Sequence, residues 1–208
     1  MNGSNAPTGP GAPAHPDTQS ALLRLLGTDE AAVSFFAGVA DLDATDPESH
    51  ALEDGVRLAS GARLEQFARA GSGDAYCFVG DGGEERPVVY VSLDGEAGPI
   101  ASGLPELVRL CLVVPWWRDA PGRTDAELRA LADEYRQDVR EFDRRRDRAA
   151  RALGLDPAGL PSPTAVLSRL GALSRGPVAA ACLVVGYDGD PLDPLFGWAR
   201  GHHARPDL

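Results

Sequence analysis

Between residues 63 and 91 the chain alternates in a way that suits a sheet. Tyr76, Phe78, Val88 and Tyr90, and in the other phase Val89 and Val91, follow the period of two found in half-buried strands. Gly71-Ser72-Gly73-Asp74 and Asp81-Gly82-Gly83 punctuate that alternation with residues that reverse a chain. Gly71 and Gly73 tolerate positive φ, and the Asp74 carboxylate can accept from nearby backbone amides, so these three form the structural turn of a tight hairpin. A β-meander is predicted. Behind it, Leu104, Leu107, Val108, Cys111 and Leu112 recur at i, i+3, i+4, i+7 and i+8, one apolar stripe suited to lying across a sheet. Pro105 is tolerated in the first turn of that helix, and Pro115 stops it.

The flanks read as mainly helical. Asp17 is placed to cap a helix carrying Leu22, Leu23, Leu25 and Leu26 that Gly27 ends; a second helix follows with Val33, Phe36 and Val39 on one side. Residues 56–58 and 62–67 are predicted strands. Thr124-Asp125-Ala126-Glu127 is a capping-box pattern that opens one long helix ending at Gly154. Its inner arc carries Leu128, Leu131, Tyr135, Val139, Phe142, Ala149 and Leu153. Residues 164–173 form a short helix; the period of the apolar run 177–185 fits a buried strand or a buried helix alike, and its length and valines favour the strand. Phe196 and Trp198 are expected to dock the end of the chain.

Three divisions follow: a disordered tail over 1–16, an α+β core over 17–120, and a mainly helical extension over 121–208. The tail, rich in Pro, Gly, Ala and Asn, has no apolar stretch of the kind a secretion signal needs. No apolar run approaches the length that spans a bilayer. The three cysteines, Cys77, Cys111 and Cys182, are odd in number, far apart and without a Cys-x-x-Cys pair. They read as small buried residues in a reducing cytoplasm.

All 20 basic residues are arginine. Without lysine, neither a Walker-type phosphate loop nor Schiff-base catalysis is available. The net charge of −11 disfavours nucleic acid and membrane surfaces and favours basic partners. His15, His50, His202 and His203 lie far from any candidate nucleophile, and no Gly-x-Ser-x-Gly elbow occurs. Asp188, Asp190 and Asp193 break the spacing of a calcium loop and read as a solvated turn. No catalytic residue, cofactor or metal ligand is assigned.

Two features suggest a binding surface. Trp116 and Trp117 are adjacent: either one stays exposed as an interface anchor, or both are covered by the C-terminal part. On the long helix, Arg136, Arg140, Arg144 and Arg148 make a like-charge i, i+4 row, with acids interleaved. Glu141 with Arg145, and Asp147 with Arg151, are expected i, i+4 pairs. Arg140 and Arg144, together with the two tryptophans, are the candidate partner-binding residues.

Phe67-Ala68, the run from Gly71 to Tyr76, the strand 87–91, the connection 95–101, the helix 104–114 and Trp116-Trp117-Arg118-Asp119 together resemble the core of the SUKH superfamily. That group includes a fungal cell-wall-synthesis regulator and many bacterial toxin-immunity proteins, and the resemblance covers about the middle third of the chain. It implies an antiparallel sheet packed with helices and a non-catalytic protein that binds and neutralises a polymorphic toxin, often a nuclease. A regulatory scaffold of the same fold, with the arginine-rich helix as partner surface, is one alternative. An enzyme assembled from scattered Asp, Arg and Tyr residues is another.

Overall fold

A computed structural model describes residues 21–46, 52 and 55–196. Its architecture is α+β. Helices α1 (Ala21–Thr28) and α2 (Glu30–Phe36) lead into strands β1 (Arg57–Leu58), β2 (Leu64–Arg69), β3 (Ala75–Val79), β4 (Val88–Val91) and β5 (Glu96–Ala101). Helices α3 (Leu104–Val113), α4 (Asp125–Asp138), α5 (Phe142–Ala152), α6 (Pro163–Arg175) and α7 (Pro177–Ala181) follow, then strands β6 (Val184–Val185) and β7 (Asp193–Pro194).

The predicted meander is present. The main sheet has the order β2-β3-β4-β5-β7, with every sequential pair from β2 to β5 antiparallel. Only β7 joins in parallel, through Glu96 opposite Asp193. Gly73 adopts φ +99 in the β2–β3 turn, while Gly71 does not need positive φ. A Cβ on Gly73 would also come within 3.0 Å of Leu93. Phe67 and Phe78 stack at 4.1 Å between neighbouring strands, with the Arg86 guanidinium 4.5 Å from the Phe78 ring centroid.

Alternation along β3 and β4 feeds two apolar layers. Tyr76, Phe78, Val88 and Tyr90 join the larger cluster with α1–α3 and the later helices. Ala75, Cys77, Val89 and Val91 join Leu58, Cys182 and Val184 in a second cluster. The β1–β6 pair therefore covers the other side of the sheet, and β3 and β4 are buried on both faces.

Residues 121–196 are not a separate lobe. Phe142, Leu170 and Phe196 share one cluster with Leu104, Leu107 and Phe35. Two expectations are corrected. The helix from Thr124 does not run unbroken to Gly154: Val139 turns extended and Glu141 takes φ 56, so α4 and α5 meet at a bend. Seven residues of straight helix would separate positions 135 and 142 by about 10 Å. At the bend the two rings sit 6.2 Å apart, and both reach Trp116. The run 177–185 is mostly helix as well. Pro177 occupies the first turn of α7, where its missing N–H costs nothing, and Ala179, Ala180 and Ala181 are strong helix formers. Only Val184 and Val185 pair as strand, with β1.

One turn residue positions two helices. The Glu84 side chain accepts from the amides of Leu22 and Leu23, each at 3.0 Å, at the start of α1. Its carbonyl accepts the Leu104 amide at 2.7 Å, at the start of α3. The helix N-terminal amides lack internal partners and carry partial positive charge, so a carboxylate there is stabilising. Gly103 permits the approach, since a Cβ would lie 2.9 Å from the Glu84 carbonyl oxygen. Replacing Glu84 by Ala is expected to lower stability by about 1 kcal/mol, with Glu84→Gln losing less, measured by urea unfolding. An unchanged midpoint for Glu84→Ala would contradict the clamp.

Candidate functional site

The densest polar chemistry lies where the end of α3 meets one end of the sheet. Arg118, in the short 3-10 turn Trp117–Asp119, donates through one terminal nitrogen to Asp41 at 2.5 Å and through the other to the Tyr90 hydroxyl at 2.8 Å. Tyr90 in turn donates to Asp74 at 2.6 Å. Asp74 also accepts from the Leu93 amide and the Ser72 hydroxyl. Asp41 takes the Gly71 amide at 2.6 Å, and its carbonyl accepts from Tyr76. Four segments, around residues 41, 71–76, 90–93 and 118, are tied together.

Backbone conformation supports that reading. Asp41 has φ 54, a left-handed conformation that Asp tolerates better than most residues. Its carboxylate is aimed by this geometry at both Gly71 and Arg118. The guanidinium also lies 5.5 Å from the Tyr90 ring and 5.6 Å from Trp117. Such stacking suits arginine, whose planar charge is weakly hydrated.

Titration behaviour follows. Burial pushes the Asp74 carboxyl upward, but the Tyr90 hydroxyl, the Leu93 amide and the Ser72 and Ser92 hydroxyls outweigh it and hold the group below its ordinary value. Burial, then the bond to Asp74, drives Tyr90 well above the usual phenol range. The Tyr76 hydroxyl is raised for the same first reason. Burial also pushes the thiols upward, Cys111 to about 12 and Cys182 to about 11. These phenols and thiols are thus protonated at neutral pH, and the network is a set of satisfied bonds around a fixed cation.

Of the two expectations for the tryptophans, the second holds: both are core residues, Trp116 3% and Trp117 0% exposed. Trp116 packs on Tyr135 and Phe142, Trp117 on Tyr90 and Phe196. Neither is an exposed anchor, because the bend at Glu141 and the return of the chain to Phe196 cover them. Trp117 Nε1 is buried without a hydrogen-bond partner, a cost of about 1–3 kcal/mol that the ring packing offsets. Trp198 and the four histidines lie outside the described residues.

The arginine row is rearranged. Arg140 sits in the bend and is exposed, as is Arg144, which pairs loosely with Glu141 at 3.5 Å. Neither expected i, i+4 pair forms. Arg145 crosses to the Ser34 carbonyl at 2.8 Å, and Arg146 engages Asp143 and Asp147. Among the described residues no cluster of His, Cys, Asp and Glu is arranged to hold a metal ion, and no helix is long and apolar enough to cross a membrane.

Sequence reasoning missed the most exposed aromatic among the described residues. Tyr187 is 85% exposed at the tip of the turn after β6. The Gly186 amide closes that turn on the Asp190 carbonyl, and Arg57 braces its base by donating to the Gly55 and Gly186 carbonyls. Asp188 and Asp190 follow it in the turn and are exposed; Leu183, earlier in the same segment, is 42% exposed. An aromatic lodged in Gly-Tyr-Asp-Gly-Asp-Pro was the available signal, because turns of that composition leave their side chains outside.

The lowered Asp74 carboxyl has a definite pH consequence. A depressed folded-state pKa contributes stability above the ordinary carboxylate value of about 3.9, lost as pH falls through the folded value. Asp74→Asn should therefore be less stable than the parent by about 1 kcal/mol at pH 7, the difference shrinking as acid is added below about pH 5. Urea melts across pH 3–7 check this, and a constant difference would refute it.

Compared with known proteins, the chain matches no family model, no curated protein and no solved structure.

Proposed function

We propose that this chain is a non-catalytic protein-binding module of the immunity type, capturing a basic toxin. The observation that carries the reading is the braced turn that presents Tyr187, 85% exposed, together with the exposed Asp188 and Asp190 that follow it, on a protein of net charge −11. Tyrosine supplies a large contact area at low conformational cost and is enriched among residues that dominate binding energy. The bracing by Arg57 and the closed turn hold the backbone that carries the ring before contact, which lowers the ordering cost of association. Surrounding negative charge raises the rate of encounter with a cationic partner. The resemblance of residues 67–119 to SUKH proteins supports the same class of partner.

The reading requires a toxin gene beside this one, and its product is the probe. Tyr187→Ala should weaken binding of that toxin domain by about 10–100-fold, mostly through faster dissociation. Asp188→Asn with Asp190→Asn should slow association and flatten its salt dependence. No neighbouring toxin, or equal affinity for parent and Tyr187→Ala, would overturn the proposal.

A further inference from the structure

Away from the Tyr187 turn, α3, β5, α6 and the segment with Gly159 and Pro161 border an open cavity of about 290 Å³. Its inner wall is apolar: Ile100 from β5, Leu110 from α3, and Val166 and Leu170 from α6, all buried. Charged groups stand on the same lining. Arg109 and Glu106 project from α3 and Arg169 from α6.

The charges there do not cancel. Glu106 turns Oε2 to the Ser102 amide and hydroxyl, leaving Oε1 3.9 Å from Arg169. Arg109 uses one terminal nitrogen on the Pro105 carbonyl one turn earlier, at 2.9 Å. Two guanidiniums against one carboxylate give a local charge of 2 − 1 = +1, in a chain whose net charge is −11. A locally cationic hollow with an apolar wall is complementary to one kind of molecule. The size is near the lower end of small-molecule sites, about 300 Å³.

We infer that this cavity binds a small amphipathic carboxylate, its aliphatic body against Ile100, Leu110, Val166 and Leu170 and its carboxylate on Arg109 and Arg169. The guanidinium fork matches a carboxylate in two parallel hydrogen bonds, and burial of the aliphatic part supplies the non-directional share of the affinity. The uncharged or cationic analogue of the same body would leave the two guanidiniums unmatched. This site is independent of the toxin-binding reading.

The test titrates the full ¹⁵N-labelled chain with octanoate, octan-1-ol and octylammonium and follows amide shifts. Octanoate is expected to give saturable shifts centred on Arg109, Leu110 and Val166. Octan-1-ol should bind about tenfold more weakly or worse, and octylammonium should leave these amides unmoved. Arg109→Met with Arg169→Ser should weaken octanoate by about tenfold or more. Arg169→Ser alone, at a position 74% exposed, serves if the double variant fails to fold. Ala165→Trp, which adds bulk at an exposed lining position, should abolish the shifts while leaving the melting midpoint near that of the parent. No saturable response to octanoate, equal affinity for octan-1-ol, or an unaltered affinity in the arginine variants overturns the inference.

Discussion

The Arg118 guanidinium joins parts of the chain that are distant in sequence, and the placement of the helical layer on the sheet depends on it. One side of the fork holds Asp41, 77 residues earlier, and the other holds Tyr90. Through Tyr90 it reaches Asp74 and the Leu93 amide, so the β2–β3 and β4–β5 turns meet at one cation. The pair with Asp41 is about one-third exposed, so its Coulomb energy alone would be modest. What makes the site matter is geometry. Every partner of the cation is itself fixed by a second bond, and the faces of Tyr90 and Trp117 lie beside it. A network whose members are all satisfied specifies one arrangement of its elements.

Much of the sheet was legible because its signals are local. Alternation in 75–79 and 88–91, the glycines of the turns and the 3.6-residue stripe of α3 each depend on a few neighbouring residues. The failures are equally physical. The α4–α5 bend is invisible to a helical pattern, since Tyr135 and Phe142 share an arc whether the helix is straight or broken. Tertiary packing of the two rings on Trp116 decides it. The run 177–185 carried both a helix start at Pro177 and strand-forming valines, and each end of the run obeyed its own signal. Nothing near it in sequence marks Glu84, whose carboxylate caps α1 from 62 residues away. No local pattern carries that information.

The proposed binding function uses the outside of the same frame. The aromatic residues that looked like anchors in sequence, Trp116 and Trp117, are used up in joining α3 to the later helices. Exposure passes instead to Tyr187, on a turn that Arg57 braces and that carries Asp188 and Asp190. The cavity between α3 and α6 has the opposite local sign. The surface proposed to meet a cationic protein and the hollow proposed to take a small anion thus occupy different parts of one body.

The central claim, that Arg118 locks the helical layer to the sheet through a bonded network, is most directly measured by a double-mutant cycle. Arg118→Met, Tyr90→Phe and the double variant are compared with the parent by urea unfolding at pH 7. Groups within one network show non-additive effects, and a coupling of about 1–2 kcal/mol is predicted for this pair. Strict additivity, with each substitution costing the same in either background, would contradict the account.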